Sequence, residues 1–256
     1  MAETQLAGRV ALVSGGGRGI GRGISEALGG AGATVAVVYH RDGDAAADTV
    51  ETIAKAGGSA TAHRASVESF EECAKLRDEV LAAHGSVDIL VSNAGIASKG
   101  RSITKTEPEE MERHFGIHVM GAFHLAHLFA PQMRELPRGD IVVVSSVMAG
   151  RNPGGAAPYN VAKSALESLA FTLAKEEQRH GTHVNIVAPG LVESDMGRRL
   201  VKASGVDDIH SLDAVSPFGH VCEPEDVARV VLFLVSGLGG YVTGQRIEID
   251  GGGMVR

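Results

Sequence analysis

The sequence predicts an α/β protein: a parallel sheet doubly wound with helices on both faces. Three observations carry this. Short β-branched runs alternate with segments of 3.6-residue apolar period along the chain. Runs such as Ile141-Val142-Val143-Val144-Ser145 are almost continuously apolar, which suits strands buried on both sides. The first run leads through a glycine-rich turn into the first helical segment, and strand-to-helix units of this kind pack with right-handed crossovers.

Taken in order, Val10 to Val13 is the first strand, followed by a helix over about 21–30. Thr34 to Tyr39 ("TVAVVY") is the second strand, with a helix over about 45–56. Ser59 to His63 is a weaker strand before a helix over 69–84. Val87 to Ser92 precedes one long helix over 108–134, and Ile141 to Ser145 precedes a helix over 158–180, which Pro158 is well suited to start. His183 to Val187, a helix over 224–236 and Gln245 to Ile249 complete the pattern. The stretch 191–222 breaks this rhythm. Its mixed character, with Gly205, Pro217 and Gly219, reads as an insertion that is partly helical near 195–203. Long loops at the carboxyl ends of strands cover the ligand crevice in such sheets, so a substrate lid is expected there. One domain over 1–256 is expected.

Composition bounds the function. The chain has 256 residues, 44% of them hydrophobic, enough for a sizeable core. Net charge is −7 and no basic stripe exists, so nucleic acid is not an expected partner. No apolar run reaches the length of a membrane span. Cys73 and Cys222 form no CxxC pair, and "MAETQLAGRVALVSGGG" lacks a charged start followed by a long apolar stretch; a cytoplasmic location is the expectation. His114 and His118 are four apart and His124 and His127 three apart, a spacing that can bind metal. No carboxylate or cysteine completes a convincing set, so they read as packing or solvated histidines, and no metal is expected.

The turn after the first strand, from Ser14 through Gly15, Arg18, Gly19, Ile20 and Gly21, has the makings of a dinucleotide site. Glycines let the backbone turn tightly and approach a pyrophosphate, and the next helix offers unpaired N–H groups to the anion. The tip of the second strand selects the cofactor. An acid there would bind a ribose 2′-hydroxyl. This chain has Tyr39-His40-Arg41 instead, and Asp42 comes later. Arg18 and Arg41 together can grip a 2′-phosphate, so NADP(H) is expected over NAD(H).

"YNVAK" places Tyr159 and Lys163 one helical turn apart. Lys163 borders a predicted apolar stripe of Tyr159, Ala162, Leu166, Leu169 and Leu173, where an uncompensated ammonium is costly.

The glycine turn, "SNAG" at 92–95, "SS" at 145–146, "YNVAK" and "APG" at 188–190, in this order, resemble the short-chain dehydrogenase/reductase family over about 6–253, including its 3-oxoacyl-thioester reductases. The resemblance implies a Rossmann-like domain with a seven-stranded parallel sheet, a nicotinamide cofactor, hydride transfer between a carbonyl and an alcohol, and a homotetramer. It implies catalytic roles for Ser146, Tyr159 and Lys163. Ser146 would orient the substrate oxygen, Tyr159 would exchange its proton, and Lys163 would favour the phenolate and hold the nicotinamide ribose. It places Asn93, Ala94 and Gly95 along the adenosine part of the cofactor, and Pro189, Gly190, Val192 and Ser194 at the carboxamide. Three positions depart from the family. Ser14 stands where threonine is usual. Ser66, before Val67, stands where an acid commonly contacts adenine. His118 stands where an asparagine belongs to the proton relay. Two readings of His118 stay open: it serves in the asparagine's place and adds a pH dependence near neutrality, or the helix packs without a relay.

An NADP(H)-dependent oxidoreductase of a small carbonyl or secondary alcohol is therefore expected. The alternative is a silent dinucleotide-binding regulator or scaffold, which only His118 favours. For the substrate, Met196, Leu200, Val201, Ile209, Leu212, Val215 and Phe218 suggest an apolar or amphipathic ligand. Arg198, Arg199 and Lys202 suit an acidic carrier or a coenzyme A phosphate.

Overall fold

The computed structural model describes residues 5–253. Its centre is one seven-stranded parallel sheet: β1 (Val10–Ser14), β2 (Thr34–Tyr39), β3 (Ser59–Arg64), β4 (Ile89–Ser92), β5 (Gly139–Val144), β6 (Thr182–Pro189) and β7 (Arg246–Ile249), in the spatial order β3-β2-β1-β4-β5-β6-β7. The chain runs outward from β1 to β3, then returns to lay β4 on the other side of β1. That reversal opens a crevice beyond the carboxyl ends of β1 and β4, where open α/β sheets bind ligands.

The alternation of side chains along each strand divides the core in two. Val10 and Leu12 of β1 join the core built with α3 (Phe70–His84), α5 (Gly121–Met133) and α7 (Ala157–Glu177), through Leu76, Val80, Leu125, Phe129, Met133 and Leu166. Ala11 and Val13 join the core under α1 (Gly19–Gly30), α2 (Gly43–Lys55) and α9 (Pro224–Val235), through Ile24, Leu28, Ile53, Val227, Val231 and Leu234. Each fully buried large aliphatic contributes about 1.5–3 kcal/mol, so both faces are anchored. Three shorter helices, α4 (Pro108–Phe115), α6 (Met148–Arg151) and α8 (Asp195–Ala203), lie around the crevice end.

Two expectations need correction. The helix expected over 108–134 is not continuous: α4 and α5 are joined by a π-helical turn, Gly116–Met120. The extra residue per turn shifts the inward face without disturbing the apolar period on either side, so periodicity could not reveal it. Glycines flank the turn, and a β-carbon on Gly121 would sit 2.7 Å from Val67 Cγ2. The buried stripe of α7 is also rotated from its expected position. It runs through Asn160, Lys163, Leu166, Ala170 and Ala174, while Leu169 and Leu173 are only partly buried. Small Ala170 and Ala174 let the helix lie close to the sheet and draw Lys163 into the buried face.

The segment 191–222 leaves β6 and returns to α9. Its two ends meet in a parallel bridge between Val192 and Cys222. Val201, Ile209 and Val221 form a small core of their own, backed by Leu191, Val206 and Leu212.

Candidate active site

The crevice floor is the turn between β1 and α1. Ser14 fixes it: the buried hydroxyl accepts from Asn93 N (2.9 Å) and Ala94 N (3.1 Å) and donates to Val91 O (3.3 Å), tying the tip of β1 to that of β4. Asn93 Nδ2 answers by donating to Ser14 O (2.9 Å) and Gly15 O (3.2 Å). A β-carbon on Gly21 would lie 2.0 Å from Gly15 O, so only glycine fits there. Gly15, Arg18, Gly19, Ile20 and Gly21 all line the crevice. The start of α1 is capped by no side chain and carries no acid in its first turn. By contrast α2, α3 and α8 are capped by Asp42, Ser69 and Ser194. An uncapped helix start facing a glycine turn leaves N–H groups and a positive dipole end for an anion. These residues fit the pyrophosphate of a dinucleotide.

The outer rim is the tip of β2. Tyr39, His40, Arg41 and Asp42 line it, opposite Ser66, Val67, Ala94 and Gly95. Asp42 is occupied elsewhere: it accepts from Ala45 N (3.1 Å) as the cap of α2 and lies 3.9 Å from Arg18.

At the inner end Tyr159 and Lys163 converge. Lys163 Nζ lies 5.6 Å from the Tyr159 ring centroid and donates to Val144 O at 2.7 Å. Only 4% of Lys163 is exposed, and burial pushes its ammonium down to about 7, against the pull of the Glu167 carboxylate. Burial raises the Tyr159 phenol, and a hydrogen bond with Ser146 opposes that rise. The expected depression of the phenol by Lys163 is therefore not what dominates here; the lysine's own charge is weakened by the same burial. The Ser146 hydroxyl accepts from Met148 N (3.2 Å) and lies 3.4 Å from Pro189 O.

His118 sits at the middle of the π turn, 2% exposed, with its ring edge-on to Tyr159 at 5.5 Å between centroids. Its Nε2 meets Ile96 N (3.3 Å) and Ile96 O (3.1 Å). A β-carbon on Gly95 would fall 2.6 Å from His118 Cε1, so the "SNAG" glycine makes room for the ring. Burial, and then Lys163, hold the imidazole well below its usual pKa.

Not every expected residue reaches the crevice. Ser194 lines it and caps α8 through Gly197 N (3.1 Å), but Val192 is buried against Cys222. Pro189 ends β6, and Gly190 N donates to Ile249 O (2.9 Å) behind the crevice wall. Met196 and Arg199 line the crevice, whereas Val201 and Ile209 pack into the segment's own core and Leu200, Val215 and Phe218 are exposed. Arg198 pairs with Glu193 and Asp195. Of the other histidines, His124 Nδ1 lies 3.0 Å from Val67 O, and His127 packs against Phe70 and Phe123.

Sequence reasoning missed a support beneath Ser146. Glu167 accepts from Ser145 Oγ (2.6 Å) and Arg246 Nε (2.8 Å), and Arg246 Nη2 reaches Ser146 O (3.3 Å). Glu167 follows Lys163 by one helical turn, the same spacing that singled out Tyr159, and that was the available signal.

The comparisons agree with this geometry. The family model described as Enoyl-(Acyl carrier protein) reductase matches residues 15–253. Tetrahydroxynaphthalene reductase of Pyricularia oryzae is 34% identical, over 98% of this chain and 91% of its own length. The chain belongs to the short-chain dehydrogenase/reductase family. A second relative of this dehydrogenase/reductase is 3-oxoacyl-[acyl-carrier-protein] reductase of Staphylococcus epidermidis, 35% identical over 94% of this chain and 97% of its own length. A 7α-hydroxysteroid dehydrogenase, solved with NADH and 7-oxoglycochenodeoxycholic acid, superposes with a TM-score of 0.90 at 31% identity, covering 98% of this chain and 96% of that one. The dehydrogenase/reductase is thus an oxidoreductase of carbonyl and CH–OH groups that uses a nicotinamide dinucleotide. The alternative of a silent scaffold finds no support among these relatives.

Proposed function

We propose that this protein is an NADP(H)-dependent reductase of an apolar or amphipathic ketone, with Tyr159 as general acid. The convergence of Tyr159 and Lys163 at one end of the crevice, with Ser146 hydrogen-bonded to the phenol from behind Ser145, carries this reading. The bound nicotinamide supplies hydride. Ser146 donates a hydrogen bond to the substrate oxygen and fixes its angle. Tyr159 protonates that oxygen, and its phenolate takes the proton back in the reverse reaction. Lys163, titrating at about 7, holds an exchangeable proton beside the phenol at working pH, which general acid–base chemistry requires. His118 takes the place of the family's relay asparagine. Ser194 lines the carboxamide end, with Pro189, Gly190 and Val192 supporting it from behind.

NADP(H) is favoured by Arg18 and Arg41 at the rim and by the commitment of Asp42 to the α2 cap. NADPH is expected to bind more tightly than NADH in fluorescence titrations, and Arg41→Ala to weaken NADPH roughly tenfold while leaving NADH within about twofold. Tighter binding of NADH by the wild type removes this assignment.

The segment 191–222 serves as the substrate lid of a single domain. Met196 at the crevice and the exposed Leu200 and Phe218 favour an apolar ligand, and Arg199 favours an acidic group at its far end. The relatives named for naphthols and 3-oxoacyl carriers are consistent with that class. Oxidation of NADPH followed at ~340 nm against thioesters, aromatic ketones and polyols discriminates among them. A homotetramer in the cytoplasm completes the proposal, supported by half-exposed Phe115, Phe123 and Phe171 on neighbouring helices and by two free thiols.

A further inference from the structure

One face of α4 and the π turn carries Glu110, His114 and His118 at successive turns. All three are more than nine-tenths buried: Glu110 is 8% exposed, His114 1% and His118 2%. Each nevertheless holds a polar atom with no partner among the described residues, namely Glu110 Oε2, His114 Nδ1 and His118 Nδ1. Buried polar atoms rarely stay unpartnered, and three in succession along one line are not what side-chain packing alone produces. The rings of His114 and His118 are nearly parallel, with centroids 5.5 Å apart. Both rings stand edge-on to Tyr159, at 6.2 and 5.5 Å. At the other end, Glu110 Oε1 accepts from Lys99 N (2.8 Å) and Ser98 Oγ (3.2 Å), in a loop whose Lys99 and Gly100 are exposed. The line therefore runs from beside the Tyr159 ring to the surface loop.

We propose that Glu110, His114 and His118 form a side-chain proton path that refills Tyr159 from solvent at the Ser98–Lys99 loop. This rests on the reading of Tyr159 as general acid. In carbonyl reduction the Tyr159 O–H bond breaks and the new alcohol O–H bond forms, while hydride from the dinucleotide makes the C–H bond. The phenolate must then regain one proton per turnover. His118 Nε2 stays bonded to Ile96, so the bare Nδ1 anchors a water that gives one proton toward the phenolate and takes one from the His114 side. His114 is refilled in the same way through a water held by the Glu110 carboxylate, so one proton leaves bulk solvent for each carbonyl reduced.

The groups facing the path suit it. Lys163 and Tyr159 face it from α7, Arg113 from α4 and Lys99 from the loop. Burial, helped by Arg113 and Lys163, favours the neutral form of the His114 imidazole, against the pull of Glu110 and a hydrogen bond with the Ala97 backbone. A neutral imidazole leaves its Nδ1 lone pair free to hold a water on the path while the other ring nitrogen stays on the backbone. Lys99 N–H holds the Glu110 carboxyl below its usual range, so the mouth stays anionic near neutrality.

The test separates hydride transfer from proton refilling. Enzyme preloaded with NADPH is mixed with an accepted ketone at pH 8.5, and the first turnover is compared with the steady state in H2O and D2O. In His114→Leu the first turnover should keep the wild-type rate. Steady-state kcat should fall roughly tenfold, show a larger solvent isotope effect and recover on adding imidazole. Glu110→Gln, at the mouth, should give the same pattern more weakly and serves if His114→Leu does not fold. A wild-type kcat and isotope effect in a folded variant overturns the path. So does a first turnover slowed in proportion to kcat, since His114 would then only position Tyr159. If the wild type shows no turnover that depends on Tyr159, the general-acid reading fails first, and with it the path.

Discussion

Tyr159→Phe is expected to lower kcat by about three orders of magnitude while leaving the dissociation constant for the dinucleotide within about twofold. The substitution removes a single oxygen. The ring remains beside Lys163 Nζ and edge-on to His118 and His114, and Ser146 keeps Met148 N and Pro189 O as neighbours. The cofactor cradle of Ser14, Gly15, Gly21 and Asn93 lies at the tips of β1 and β4 and does not involve the phenol. Loss of turnover with intact binding then isolates the proton transfer. A variant that keeps kcat within tenfold of the wild type, followed by cofactor absorbance, rejects Tyr159 as the acid.

Lys163→Met should separate stability from activity and move them in opposite directions. In the folded protein the Lys163 ammonium titrates at about 7, against 10.5 for the free side chain. Below pH 7 the lysine is charged in both folded and unfolded chains, and the full cost of burying that charge opposes folding. Between pH 7 and 10.5 the folded chain has released the proton and the unfolded chain still holds it, so stability recovers as pH rises. The difference corresponds to an upper bound of about 5 kcal/mol. Loss of the bond to Val144 O offsets about 1–2 kcal/mol. Denaturant unfolding of the cofactor-free protein should find the variant more stable by about 2–4 kcal/mol at pH 6.5, with little difference at pH 9.5. Turnover should be almost abolished. Equal stability of the two proteins at both pH values contradicts a buried, strained ammonium.

Much of the frame was legible from the chain. The apolar runs located the strands to within a few residues, most clearly β1, β2, β5 and β6, which are buried on both faces, and least clearly the half-exposed β3 and β7. Arg18, Tyr39, Arg41, Tyr159 and Lys163 could be placed around one crevice from their positions at strand tips and on one helix face. What escaped depends on geometry that no periodicity records. The π turn of Gly116–Met120 shifts the helix phase between α4 and α5. The rotation of α7 that buries Lys163 follows from small Ala170 and Ala174 meeting the sheet. Glu167 and Arg246 lie far apart in sequence and meet only because β7 starts beside β6. In the 191–222 segment, apolar composition suggested a single ligand-facing surface. The structure divides those side chains between a private core and an exposed edge, which composition does not distinguish.

The bridge between Val192 and Cys222 has an engineering consequence. It staples the excursion at its base, so the stretch between these residues is a closed loop hung from a fixed clasp. Closing such a loop becomes harder only logarithmically with its length. With Ser194, Met196 and Arg199 kept in place, stretches of quite different size can therefore be exchanged between Arg199 and Cys222 with little disturbance to the sheet below, which makes this the natural place to graft a new ligand preference onto an unaltered reaction centre.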